Sequence, residues 1–284
     1  MSTTPLAESI TQWLLAAETR QRPLPEVLAA LVERLVDAGV PLRRVRTSVT
    51  TMHPEIFVRV ITWHAEHGSV VHDGGREILD APGYLGSPVA KVRAGVERIR
   101  CRLRGPEADL SYAICGELAA EGLSDYVVHA LVFGSGERTY VSFATDAEDG
   151  FSKDALDLLA ALLPALAVRL EVDSTRYALE SLLRVYLGNN AAERVLAGSF
   201  LRGTGEAIEA AVWFCDMRGF TELADRRPAG EVVGILDRFF EAVAGPIPGH
   251  GGEVLKFVGD AVLAVFPVGT AGPADACRRA LLAA

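Results

Sequence analysis

The residues best suited to chemistry in this 284-residue chain lie near its C-terminal end. Asp216 closes an apolar run, Ile208 to Asp216 (IEAAVWFCD), long enough for a buried strand. Met217, Arg218, Gly219, Phe220 and Thr221 follow it directly. A carboxylate at a strand end can hold a divalent cation, and a glycine lets backbone amides come close to phosphate oxygens. Thr221 is expected to open a helix, whose N-terminus favours anions. A second carboxylate, Asp260, stands with Gly259 at the tip of a predicted hairpin, between strands Val254 to Val258 and Ala261 to Phe266. Lys256 lies on the first arm of that hairpin. Each residue alone has an ordinary use: Asp216 as a helix cap, Asp260 as a turn residue, Lys256 as a solvated strand lysine. Together, two carboxylates and a set of phosphate oxygens make a site for two hard cations.

The elements between these residues must bring them together. Thr221 to Ala244 reads as helix with a break near Pro228-Ala229-Gly230, its Val232, Val233, Leu236, Phe239, Phe240 and Val243 facing a core. Gly245 to Gly252 reads as loop. Strand, helix and hairpin in that order form the first half of a ferredoxin-like split βαβ unit. In such a sheet the hairpin can lie beside the first strand, with Asp216 and Asp260 neighbours.

Phe214-Cys215-Asp216-Met217-Arg218-Gly219-Phe220-Thr221 resembles the F-x-D-x-x-G-F-T signature of class III adenylate and guanylate cyclases. Lys256-Phe257-Val258-Gly259-Asp260 resembles their K-x-x-G-D hairpin. The resemblance implies that Asp216 and Asp260 bind two Mg²⁺ (or Mn²⁺) ions, assisted by the Met217 carbonyl. It also implies that the backbone from Met217 through Arg218, Gly219, Phe220 and Thr221, with Gly259, holds the triphosphate of ATP. Lys256 would reach the purine; in this family a lysine there goes with adenine, and a lysine donor suits the adenine N1 acceptor. The family works as a head-to-tail dimer, so a homodimer is implied, with Lys256 serving the site whose aspartates come from the partner. The reaction implied is attack of the ribose 3′-oxygen on the α-phosphorus of ATP, giving cyclic AMP and pyrophosphate. The resemblance covers Ile208 onward, and no match to the family's second base-recognition residue or its transition-state Asn and Arg is visible. The expectation is therefore an incomplete catalytic domain (203–284), inactive by itself. Alternatives are a guanylate cyclase, or a non-catalytic sensor with a cyclase remnant. A diguanylate cyclase would show a Gly-Gly-Asp/Glu-Glu-Phe run where this hairpin has Phe257-Val258-Gly259-Asp260-Ala261.

Upstream, the sequence alternates helices and strands. Leu6 to Ala17 and Leu24 to Ala38 read as helices, the second with Val27, Leu28, Leu31, Leu35 and Val36 on one face and Gly39 as its stop. Val45 to Thr51 and Phe57 to Trp63 read as strands around a turn at His53-Pro54-Glu55. Val89 to Gly95 reads as helix, and Arg98 to Leu103 as a half-buried strand. Tyr126 to Phe133 and Arg138 to Thr145 form a hairpin across Gly134-Ser135-Gly136. Phe151 to Leu170 is a long helix with Ser152 as N-cap. Its Leu156, Leu159, Leu163, Leu166 and Leu170 fit either a coiled-coil seam, shifting register at Asp173, or a core face. This order resembles a GAF domain, most closely over Ser124 to Glu171, which implies a sensor of an unknown small molecule or a dimerisation module. The division expected is a GAF-like domain (1–171), a helical connector (172–202) broken at Gly188-Asn189-Asn190, and the cyclase part. The fold class is α/β (α+β).

A net charge of −9 and a pI near 5.2 argue against a nucleic-acid groove. Cys101, Cys115, Cys215 and Cys277 form no C-x-x-C pair and are read as buried reduced thiols. The six histidines share no spacing that suggests a ligand set. The richest apolar stretch, Leu156 to Leu170, is interrupted by Asp157, Pro164 and Arg169, so no membrane span is expected. With no basic leader at Met1 to Ala17, the reading is cytoplasmic.

Overall fold

Alternating apolar and polar residues on β-branched strands, punctuated by helices with one apolar stripe, build two compact units, Met1–Leu179 and Glu180–Ala284. The computed structural model describes residues 3–51, 56–187, 189–198 and 208–284. The turn read at His53-Pro54-Glu55 and the break at Gly188 lie outside them.

The first unit is α+β. Its helices are α1 (Thr3–Leu15), α2 (Ala17–Gln21) and α3 (Leu24–Asp37), then α4 (Pro82–Leu85) and α5 (Pro88–Arg93), then α6 (Ala113–Ala120) and α7 (Lys153–Leu187). A 3₁₀ turn spans Arg76–Leu79. The strands are β1 (Arg44–Thr50), β2 (Val58–His64), β3 (Gly68–Gly74), β4 (Arg98–Arg102), β5 (Asp125–Val132) and β6 (Arg138–Thr145). They form one sheet in the order β3-β2-β1-β6-β5-β4, and every pairing is antiparallel. One face carries Val45, Val49, Ile61, Val127 and Phe143 into the main core with leucines of α3 and α7. The opposite face carries Tyr126, Val128, Tyr140 and Ala144 into a second core with Cys101, Cys115 and Leu118.

The leucine stripe of α7 is a core face: Leu159, Leu166 and Leu170 are buried in the main core and Leu156 and Leu163 pack against it. Ser152 caps the helix by accepting a hydrogen bond from the Ala155 amide at 3.2 Å. Asp173 does not mark a register shift. It pairs, buried, with Arg169 one turn earlier, and α7 runs unbroken to Leu187. The division between the two compact units falls inside this helix.

Three further readings are corrected. Val36 is exposed, because α3 ends one residue later and turns its last apolar side chain to solvent. Strand β3 was not expected; Gly68–Gly74 pairs along its length with β2, and Arg59 of β2 clamps Asp73 through two hydrogen bonds of 2.7 and 2.8 Å. Cys277 is exposed and Cys215 half-buried, so only Cys101 and Cys115 are core thiols.

His129 of β5 is buried and its Nε2 has no hydrogen-bond partner. Burial, with the nearby Arg98 guanidinium, pushes its pKa down to about 4. The neutral ring is the folded form, so its stabilisation is present above the unfolded value of about 6.5 and is lost as pH falls towards 4. Lowering pH from 7 to 4 should therefore cost the first unit up to about 3 kcal/mol through this residue. Urea unfolding of wild type and His129→Gln at both pH values checks it; an equal pH dependence in the two would remove His129 as the cause.

The second unit holds α8 (Asn189–Leu196), β7 (Ala210–Asp216), α9 (Phe220–Arg226), α10 (Ala229–Ala244), α11 (Pro246–Gly249), β8 (Glu253–Val258), β9 (Ala261–Pro267) and α12 (Pro273–Leu282). Asn189 and Asn190 are helical rather than breakers, and the expected loop at Gly245–Gly252 contains α11. The sheet order is β7-β9-β8, antiparallel throughout. One face packs Val262, Ala264 and Phe266 against Ile247, Ala276 and Ala280, with Trp213, Phe240 and Val243 alongside. Val233 of α10 points away and is exposed.

Candidate functional site

Asp216 is the last residue of β7 and pairs with Ala261, the first residue of β9. Asp260 immediately precedes Ala261 at the hairpin tip. The tip is a two-residue turn: Val258 pairs with Ala261, and Gly259 has φ +65°. Positive φ at the first turn residue alone is the type II′ pattern, which suits the twist of a hairpin and needs glycine. Placing β9 between β7 and β8 therefore sets the two aspartates side by side. Interaction with the Asp260 carboxyl, with desolvation added, holds the Asp216 pKa above the ordinary carboxylate value. Among the described residues neither aspartate has a cationic side chain as partner.

After β7 the chain turns at Met217 and Arg218 and enters α9 through Gly219, whose φ of +78° places it in the left-handed region. The helix opens at Phe220, one residue before the expected Thr221, and Gly219 is its N-cap. The Leu223 amide closes the first turn on the Gly219 carbonyl at 3.0 Å. α9 has 7 residues, and α10 is a separate helix after Pro228, so the predicted break is where the sequence put it.

Lys256 is not brought to the carboxylates. It lies on β8 opposite Leu263 of β9, which pairs with Phe214 of β7. A β-bulge between Val254 and Lys256 sets the register there. Lys256 shares a sheet face with Phe214 and Asp216, since cross-strand partners point the same way. On that face Val212 and Phe214 are 71% and 61% exposed.

Two adjacent, solvent-reached carboxylates and the Met217 carbonyl, which also accepts from the Phe220 amide at 3.4 Å, are hard oxygen donors, which fit Mg²⁺ or Mn²⁺. Two like charges in contact also favour a cation over a shared proton as pH rises. Among the described residues there is no cluster of three or more His, Cys, Asp or Glu side chains able to hold a metal. The remaining ligands would have to come from elsewhere, such as phosphate oxygens.

Sequence reasoning missed a second concavity, in the first unit. Arg44, Arg46 and Ser48 alternate along one face of β1 and line a cavity of about 290 Å³. The signal was present as a period-two basic pattern on a predicted strand. Its significance depends on Tyr126 and Tyr140, which the sheet brings beside it from far along the chain.

No protein-family model matches the chain. Two uncharacterized proteins of Mycobacterium tuberculosis are 48% and 50% identical to it over 62 residues, 22% of this chain. The matched segment spans 12% and 11% of those relatives' own lengths. Among solved structures, the GAF domain of a phosphoenolpyruvate-protein phosphotransferase from Coxiella burnetii is 15% identical, covering 62% of this chain and 96% of that one, with a TM-score of 0.43. A phycocyanobilin-bound GAF domain from a cyanobacterial phytochrome is 15% identical over 60% of this chain and 96% of its own, with a TM-score of 0.40. A bacterial light-regulated adenylyl cyclase is 16% identical over 66% of this chain and 64% of its own, with a TM-score of 0.33. No helix among the described residues is long and apolar enough to cross a membrane.

Proposed function

We propose that the chain belongs to an adenylate cyclase of the class III type, with a GAF-like sensing unit ahead of the N-terminal part of the catalytic domain. The observation that carries this reading is the juxtaposition of Asp216 and Asp260, each inside a motif that resembles the family's, at the end of β7 and the adjoining hairpin tip. In this reading the two carboxylates and the Met217 carbonyl hold two divalent cations. When bound, these would neutralise the triphosphate and acidify the ribose 3′-hydroxyl. Gly219, lacking a side chain, lets the turn approach phosphate oxygens, and Lys256 donates to adenine N1 in a site completed by a second copy of the chain. Positioning and charge stabilisation account for the rate.

A Mn²⁺ titration of the chain, read by electron paramagnetic resonance, tests the metal assignment without requiring turnover. Binding is expected to be saturable, strengthened by ATP, and lost in Asp216→Asn/Asp260→Asn. It should also weaken as pH is lowered through the raised Asp216 pKa, because a proton then competes for the same oxygens. Unchanged binding in the double variant would remove the two-metal reading.

A second reading, a non-catalytic sensing or dimerising module with a cyclase remnant, is favoured by the cavity in the first unit. Cyclic AMP synthesis by a full-length enzyme containing this chain would separate the two.

A further inference from the structure

The cavity of the first unit lies on the sheet face opposite the main core, under the 3₁₀ turn and α4 to α6. Its lining combines the apolar side chains of Val58, Val60, Ile78 and Ile114 and the Tyr84 ring with three arginines, Arg44, Arg46 and Arg93.

Several arginines of this unit have a carboxylate partner. Arg59 has Asp73, Arg100 has Asp125 and Arg169 has Asp173. Arg44, Arg46 and Arg93 make no ion pair among the described residues, and the Nε atoms of Arg44 and Arg46 are buried without a hydrogen-bond acceptor. The only carboxylate lining the cavity is Glu117, which is exposed. The charges of Arg46, Arg44 and Arg93 each favour ionisation of the buried Tyr140 hydroxyl. Arg44 is held below its ordinary pKa by burial and by Arg46 beside it, with the Glu121 charge partly opposing them. Buried donors without acceptors, and like charges side by side, are each unfavourable. An oxyanion relieves both at once, and guanidinium groups bind carboxylate, sulfonate or phosphate with paired N–H donors. The rest of the lining is mainly apolar and aromatic, with Ser48, Ser87, Ser142 and Glu117 as its other polar groups, as in ligand pockets built around a few polar anchors.

We infer that this cavity binds a small organic anion with an apolar body, its oxyanion held by Arg44, Arg46 and Arg93 and its body against Val58, Val60 and Ile78. The inference deepens the sensing half of the proposal above. It does not depend on the carboxylate site.

Two fluorescent dyes that differ only in one charged group test it: anilinonaphthalene sulfonate and the uncharged phenylnaphthylamine. The sulfonate should bind the chain at one saturable site, and Arg46→Gln or Arg44→Gln should weaken it roughly tenfold or more. Phenylnaphthylamine should change less than about twofold, since it loses no charge-assisted bond. Phe214→Ser, which removes the exposed apolar face of the second unit as a competing dye site, should leave the sulfonate site intact. Arg93→Gln gives the same readout if a β1 variant fails to fold, judged by circular dichroism. Unaltered sulfonate affinity in the arginine variants, equal losses for both dyes, or no saturable binding would overturn the inference. None of these outcomes bears on the Mn²⁺ titration, which reads the other unit.

Discussion

On the cyclase proposal, changing Asp216 to asparagine in an enzyme that contains this chain is expected to lower cyclic AMP formation by about two to three orders of magnitude. Asparagine keeps the shape and one acceptor oxygen but removes the charge that would hold a cation at the end of β7. Asp260→Asn should cost as much, since in that proposal the two neighbouring carboxyl groups would hold the same cations. The double variant should be little worse than the poorer single one, because residues that work as a unit are strongly non-additive. Lys256→Gln should differ in kind. In the proposal it recognises the base rather than the cations, so KM for ATP should rise with a smaller change in kcat. Initial rates measured over a range of ATP and Mn²⁺ concentrations resolve these patterns. An Asp216→Asn enzyme keeping more than about a tenth of wild-type activity would contradict the assignment.

Asp125→Ala is expected to destabilise the first unit by about 3 kcal/mol, towards the lower end of the range for removing one member of a buried ion pair. Asp125 is fully buried at the start of β5. It accepts hydrogen bonds from Arg100 at 2.6 Å and from the Phe151 amide at 2.9 Å, with Arg102 3.5 Å away. Alanine leaves that amide without an acceptor and two guanidiniums without their counter-charge; both are partly exposed, which moderates the loss. The loop ahead of α7 folds closely over this carboxylate. Gly150 has φ +68°, and a Cβ there would lie 2.5 Å from an Asp125 oxygen. Asp125→Asn should be milder because it still accepts from Phe151. In a Trp213→Phe background the remaining tryptophans, Trp13 and Trp63, both belong to the first unit, so urea unfolding followed by fluorescence reads that unit alone. A loss below about 1 kcal/mol for Asp125→Ala would refute this account.

What could be read from sequence was local in origin. The hairpin at Gly134-Ser135-Gly136, the Ser152 cap and the turn at Gly259-Asp260 are set by residues within a few positions of one another. The contact between Asp216 and Asp260 was also legible, because strand, helix and hairpin leave few topologies. The missed features depend on distant partners. Strand β3 has the sequence Gly-Ser-Val-Val-His-Asp-Gly, with mostly exposed residues, and pairing with β2 makes it a strand. The arginines of β4 read as the polar side of a half-buried strand. That two of them converge on Asp125 follows from the β4–β5 register. The same holds for Arg44 and Arg46, whose partners in the cavity come from β6 and from the segments after β3.

The uncovered sheet face around Val212 and Phe214 also bears on how the polypeptide behaves in a tube. At neutral pH a net charge of −9 opposes non-specific association through this apolar surface. Near the pI of about 5.2 that repulsion vanishes, and the same face becomes the first place where molecules adhere. Colloidal stability in acidic buffers should thus be limited by β7 rather than by unfolding of either unit, and a charged side chain at position 212 is the economical way to restore it.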